Sequence, residues 1–200
     1  MSTDLNTPSQ RRLQRPADFT GDQLQHFYQI FLRHGLPVAA CGVCLLLLPS
    51  MQALLGASSA KLLSEPGAYA WGFILIISAL LIYARIIDRC LKGSIIAWVL
   101  YLLALSAWEE WVFRLAMPYA LQAQGMQLSV AVVIVNLVFG ALHYFSLRWK
   151  WQWCVLVFFG GLALSHRLHT NFDFASVIAI HWIATYLNTP RPPGLRRRLR

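Results

Sequence analysis

Apolar residues run along this chain in six blocks separated by short polar breaks: approximately Leu36 to Leu55, Ala68 to Ala84, Ile95 to Leu121, Leu128 to Phe145, Trp151 to Leu164 and Phe174 to Leu187. About 20 apolar residues in a helix fill a bilayer, so the pattern predicts six membrane-spanning helices. The last two blocks are shorter and need polar flanks, local thinning or shelter inside the bundle. Ahead of the first block, Leu24, Phe27, Tyr28, Ile30 and Phe31 suit a short helix lying in the interface over Gln23 to Arg33, before Pro37. Met1 to Asp18 is polar with no apolar core behind its basic start, and reads as a flexible cytoplasmic leader rather than a cleaved signal. The organisation expected is a leader with its interfacial helix over 1–33, two additional spans over 34–93, a four-helix core over 94–188 and a basic tail over 189–200.

Composition supports this architecture and excludes a soluble domain. The 200 residues are 58% hydrophobic and 12% charged, with a mean hydropathy of +0.53. The fold class expected is an all-α polytopic bundle. Of the 17 basic residues, all but Lys61, Arg114 and Arg167 fall on one side of the six spans. An integral membrane protein with both termini cytoplasmic follows from the bias of basic residues toward the cytoplasm. The +9 charge is then a topology signal and a contact with lipid headgroups, and no nucleic-acid partner is expected. Cys41, Cys44, Cys90 and Cys154 lie in apolar spans or on the cytoplasmic side, where disulfides are disfavoured. The Cys41-x-x-Cys44 spacing reads as small-residue helix packing rather than redox chemistry.

Against this background the polar residues inside apolar helices carry the information. Glu109-Glu110-Trp111-Val112-Phe113-Arg114 sets two carboxylates and a guanidinium in the third block. Each such group costs on the order of 3 kcal/mol near the bilayer centre, so the three imply a partnered site facing protein or a water-filled cavity. In a helix Glu110 and Arg114 share a stripe, while Glu109 is turned by about 100 degrees from Glu110. Arg114 neutralises Glu110, which leaves Glu109 as the candidate base. Asn136, Phe139 and His143 share one face of the next helix. Residues 109 and 143 are symmetric about the turn at Gln124 to Gln127, so an antiparallel hairpin brings them to one depth. His181, Thr185 and Asn188 line one stripe of the last helix at a comparable depth. His26 and His34 sit near the cytoplasmic interface and His166 and His169 flank an external loop, all four outside this cluster. Counted along the helices, Glu109 lies about 21 Å from Ile95 but His143 only about 8 Å from Arg148. The third span must therefore start below the membrane surface or tilt.

These residues resemble the CAAX-processing and bacteriocin-processing family of intramembrane proteases, whose helices carry Glu-Glu-x-x-x-Arg, Phe-x-x-x-His and His-x-x-x-Asn in that order. Glu109, Glu110 and Arg114 meet the first motif, Phe139 and His143 the second, and His181 the third, with Thr185 where Asn is usual. The resemblance runs from about Ile95 to Asn188. It implies an intramembrane endopeptidase of glutamic type, in which Glu109 is the base, His143 positions the water and His181 with Thr185 supports the oxyanion. Asn136 or Asn188 could replace the missing amide. Leu115 stands where the family has glycine after the motif arginine, and Pro118 follows, so local geometry can differ. The resemblance implies no cofactor; zinc held by two histidines and a glutamate is the alternative, without the compact His-Glu-x-x-His helix of zinc peptidases. The substrate implied is a membrane-tethered protein or peptide, cut at a C-terminal tail, sorting helix or leader, in a bacterial inner membrane. Prenylated tails rank last among these. The competing reading is a non-catalytic immunity or scaffold protein that has kept the fold, and a proton-coupled carrier is disfavoured by the lack of an inverted repeat. Oligomeric state is not written in these patterns.

Overall fold

The computed structural model describes Leu13 and residues 26–87 and 93–189. Among the described residues the chain forms eight helices: α1 (Phe27–Leu46), α2 (Pro49–Ser58), α3 (Ala60–Ser64), α4 (Pro66–Ile86), α5 (Gly93–Ala123), α6 (Leu128–Phe145), α7 (Trp151–Asn171) and α8 (Phe174–Asn188). This is the all-α bundle expected. Helices α1, α4, α5 and α6 are long and apolar enough to cross a membrane, and α8 is a shorter apolar helix. Most of the leader, Leu24, Cys90 and the basic tail lie outside the described residues.

The first span differs from the expected Leu36 to Leu55. Leu48 is extended ahead of Pro49, as the residue before proline prefers, and this breaks the apolar block at Leu47 and Leu48. Residues 49–64 form the short helices α2 and α3 instead. Upstream, Phe27 to Gly35 is no separate interfacial helix: a π-helical turn over Phe31–Gly35 joins it in line with Leu36–Leu46. Pro37 does not end this run, because it stands in the first turn of Leu36–Leu46, inside an otherwise continuous helix. The second break, the turn at Gln124 to Gln127, falls where expected, with Gly125 at φ 91°.

Helix α5 has 31 residues. At 1.5 Å per residue it is about 46 Å long, well beyond a hydrocarbon core of about 30 Å, so it tilts or protrudes. Its excess length accounts for the depth mismatch between Glu109 and His143. Helix α7 runs past the expected Leu164 to Asn171, where Phe172 takes a left-handed conformation at φ 49°. Asp173 then caps α8: its Oδ1 accepts from Ser176 N at 3.1 Å and its Oδ2 accepts from Tyr69 Oη at 2.8 Å, tying the loop to α4. The 15 residues of α8 reach only about 22 Å, and the helix is sheltered against α5. Trp182 Nε1 donates to Val99 O at 2.9 Å, and Trp98 Nε1 donates to Thr189 O at 2.7 Å.

Helix α1 packs on α5 through two glycines. A Cβ at Gly35 would overlap Tyr101 Oη, and one at Gly42 would overlap the Trp108 ring. Trp111 Nε1 donates to Gly42 O at 3.0 Å across the same seam. Small residues allow this approach, as between helices in lipid. Cys41 and Cys44 are exposed on α1 and Cys154 is buried in α7. Leu13, expected in a flexible leader, is instead buried, and its carbonyl accepts from Lys150 N at 2.7 Å. An apolar side chain has a sheltered place there, beside a cavity that Trp149 and Trp153 also line.

Candidate active site

Glu109 and Glu110 end the regular part of α5, and a π-helical turn over Trp111–Ala116 follows at once and carries Arg114. The wider turn sits beside the buried carboxylates, and π-helical turns of this kind are frequent at functional sites. Glu109, Glu110 and Arg114 are 2%, 0% and 1% exposed, so charge is buried here. Arg114 Nε lies 3.5 Å from Glu110 Oε1, as their spacing predicted. The guanidinium also stacks 3.9 Å above the centre of the Phe139 ring, a cation–π contact strengthened by desolvation. Gly161 of α7 makes room for this arrangement, because a Cβ there would overlap Asn136 Oδ1 and press on Arg114 Nη2.

Phe139 forms the floor between the histidines. Its ring centre is 4.5 Å from that of His143 and 6.0 Å from that of His181. His143 donates from Nδ1 to Phe139 O at 2.9 Å, an assignment made because a carbonyl can only accept. That bond fixes the tautomer and leaves Nε2 with a lone pair. His181 lies between the two carboxylates: Nδ1 is 2.6 Å from Glu110 Oε1 and Nε2 is 3.5 Å from Glu109 Oε2. The first contact is close but off the direction of a hydrogen bond.

The remaining predicted residues take different places. Thr185 and Asn188 border the same cavity as Glu109, His143 and His181. The Asn188 amide donates to Ala184 O at 2.9 Å, within its own helix. Asn136 is buried and turned toward α7, donating to Val132 O at 2.8 Å and Ser165 Oγ at 3.0 Å, so it braces the α6–α7 hairpin. His26 and His166 are exposed, and His169 lies 3.4 Å from the Tyr119 hydroxyl, remote from the carboxylates.

His34 departs from its expected place. It is 1% exposed and its Nε2 lies 2.5 Å from Glu109 Oε1, the shortest polar contact of the site. Its Nδ1 lies 2.7 Å from Ser146 Oγ. Both contacts went unseen in the sequence because helix-to-helix docking brings residues 34, 109 and 146 together. The available signal was Gly35 beside it and Gly42 one heptad beyond, which mark the face of α1 that packs closely. Among the described residues, two histidines and a glutamate do come together: His34, Glu109 and His143 present ligand atoms all within 4.8 Å of one another. Two ligands of a tetrahedral zinc ion with bonds near 2.0–2.1 Å stand about 3.3 Å apart. The 2.5 Å between His34 and Glu109 is shorter than that and is a hydrogen-bonding separation, so the two would have to part to hold a zinc ion.

A cavity of about 230 Å³ opens beside Glu109, Arg114, Phe139, His143, His181 and Thr185. Its other walls come from Leu13, Leu147, Trp149 and Trp153 and from the end of α8 at Asn188 and Thr189. It is thus a largely apolar chamber with the carboxylates and imidazoles in one wall, the usual make-up of a ligand pocket. No curated protein and no solved structure matches the chain. Residues 91–187 match the family described as type II CAAX prenyl endopeptidase, Rce1-like. This match contains every motif residue around the cavity, and makes residues 91–187 similar to the CAAX-processing family of membrane proteases.

Proposed function

We infer that the chain is an intramembrane endopeptidase that hydrolyses a peptide bond of a membrane-tethered protein through a water activated by Glu109. The observation that carries this reading is the convergence of Glu109, His143 and His181 on one wall of a buried cavity. His143 Nε2, its tautomer set by Phe139 O, accepts one hydrogen bond from the water, and Glu109 Oε2 takes the other proton as hydroxide adds to the carbonyl carbon. That proton passes to His181 Nε2, 3.5 Å from Oε2. The imidazolium so formed stands beside the tetrahedral oxyanion and then protonates the leaving amine. Glu110 and Arg114 hold His181 and Phe139 in place. Thr185, one turn from His181, is the second candidate donor. No step in this reading requires a metal.

Among the cavity walls, Trp149 lies between Arg148 and Lys150, Leu13 O accepts from Lys150 N, Trp153 is in the first turn of α7 and Thr189 caps the end of α8. In this reading the site therefore opens toward the basic, cytoplasmic side of a bacterial inner membrane. The test compares protein termini, by mass spectrometry of membrane fractions, between cells carrying the native chain and cells carrying Glu109→Ala at equal abundance. A terminus lost only with Glu109→Ala supports proteolysis and identifies the substrate. Identical termini with the native phenotype retained would replace this reading with that of a non-catalytic scaffold.

A further inference from the structure

His34 enters the site from α1, outside the matched residues 91–187, and both of its ring nitrogens are engaged. Ser146 Oγ donates to Leu142 O at 2.6 Å, so its proton is committed and it can only accept from His34. His34 Nδ1 therefore carries the proton of the 2.7 Å contact. In a neutral ring Nε2 then holds a lone pair, yet it stands 2.5 Å from the carboxylate oxygen Glu109 Oε1. Two acceptors do not approach so closely with nothing between them, and a separation this short belongs to charge-assisted bonds. One further proton must lie in the contact. Charge leads to the same place: with neutral imidazoles, Glu109, Glu110 and Arg114 leave a buried excess of one negative charge, which one proton cancels. Of the three histidines around the carboxylates, His143 directs Nδ1 to Phe139 O, and His181 meets Glu110 off the hydrogen-bond direction. The His34–Glu109 contact alone among them has both the length and the direction of a hydrogen bond to a carboxylate.

We propose that His34 is a positioning residue of the site: it holds one proton jointly with Glu109 Oε1, leaving Oε2 as the oxygen that takes a proton from water. The effect on rate rests on the peptidase reading, whereas the shared proton does not. His34 touches no substrate, and its proton stays in place through turnover while the water's proton follows the path through Oε2. Gly35 and Gly42 are what let α1 come near enough to α5 to deliver the imidazole.

Two arms test this on the full chain purified in detergent. Proton NMR of the native chain, labelled with ¹⁵N at histidine, is expected to show one proton far downfield of the backbone amides, lost in both His34→Gln and Glu109→Gln. With a membrane-tethered peptide bearing the cleavage site found by the termini comparison, His34→Ala is expected to lower kcat about 10²-fold with little change in KM. His34→Gln, whose amide still donates to Oε1, is expected to recover about tenfold of that loss and to unfold at the native temperature. A missing downfield proton, one equivalent of zinc in the purified native chain, or native kcat in His34→Ala each overturns the proposal. A chain that shows the proton but cleaves no peptide upholds the shared proton and overturns the peptidase reading instead.

Discussion

The wall of the site built by residues 91–187 and the wall built by α1 are made in different ways. In α5, α6 and α8 the functional side chains are set by local spacing: Glu110 and Arg114 four apart, Phe139 and His143 four apart, His181 and Thr185 four apart. Helical periodicity alone puts each pair on one stripe, and short turns bring the stripes together. On α1 a single imidazole reaches the carboxylates, and its placement depends on two glycines at a helix seam. The first wall can be read along the chain, while the second exists only once two helices have docked. The difference teaches that a family match can cover both carboxylates of a site and leave out an imidazole in contact with one of them.

The sharpest way to break the comparison lies inside the matched wall. Glu109→Gln keeps the shape of the carboxylate but cannot accept the water's proton, and should lower cleavage by about 10³-fold, in the range of lost general bases. Its yield and thermal unfolding temperature in detergent should stay near native, because His34 and His181 can still face an amide.

Glu110→Ala should act the opposite way, on the fold before the chemistry. It leaves Arg114 buried without its carboxylate, a change that costs about 3–5 kcal/mol. The expected outcome is poor membrane accumulation and a lower unfolding temperature than for Glu109→Gln. A Glu110→Ala chain as stable as native would show that Phe139 alone holds the guanidinium.

Gly42→Val probes the other wall. The added atoms meet the Trp108 ring and push α1 from α5, at about 1–3 kcal/mol for overpacking. Cleavage should fall alongside the unfolding temperature, and the downfield proton of the His34–Glu109 contact should weaken or vanish. Loss of stability with that proton intact would mean that the seam does not position His34.

The smallest effect is expected at Thr185→Asn, which restores the residue usual in the family. Thr185 borders the cavity and its hydroxyl is shorter than an amide. A change in kcat below about tenfold, with KM steady, fits a supporting donor. A larger gain would make oxyanion support the step that limits this chain.

The sequence by itself determined the class and singled out most of the polar residues that meet at the cavity. Apolar blocks of bilayer length required a helical membrane bundle, because only intrahelical hydrogen bonds satisfy the backbone in lipid. The cost of charge in lipid singled out Glu109, Glu110 and Arg114, and the turn at Gly125 set His143 opposite Glu109. What spacing could not supply was any consequence of contact between distant helices. The break at Pro49 shifted the first span, since a run of leucines does not show where a helix stops until the residue before proline extends. Asn136, equivalent by spacing to His143, turned toward Ser165 because α7 packs on that side. His34 passed for an interfacial residue because its depth depends on how far α1 slides along α5, which Gly35 and Gly42 decide through the bulk they lack. Tertiary structure alone could place that imidazole, since its partners Glu109 and Ser146 come from two other helices and no local period links them.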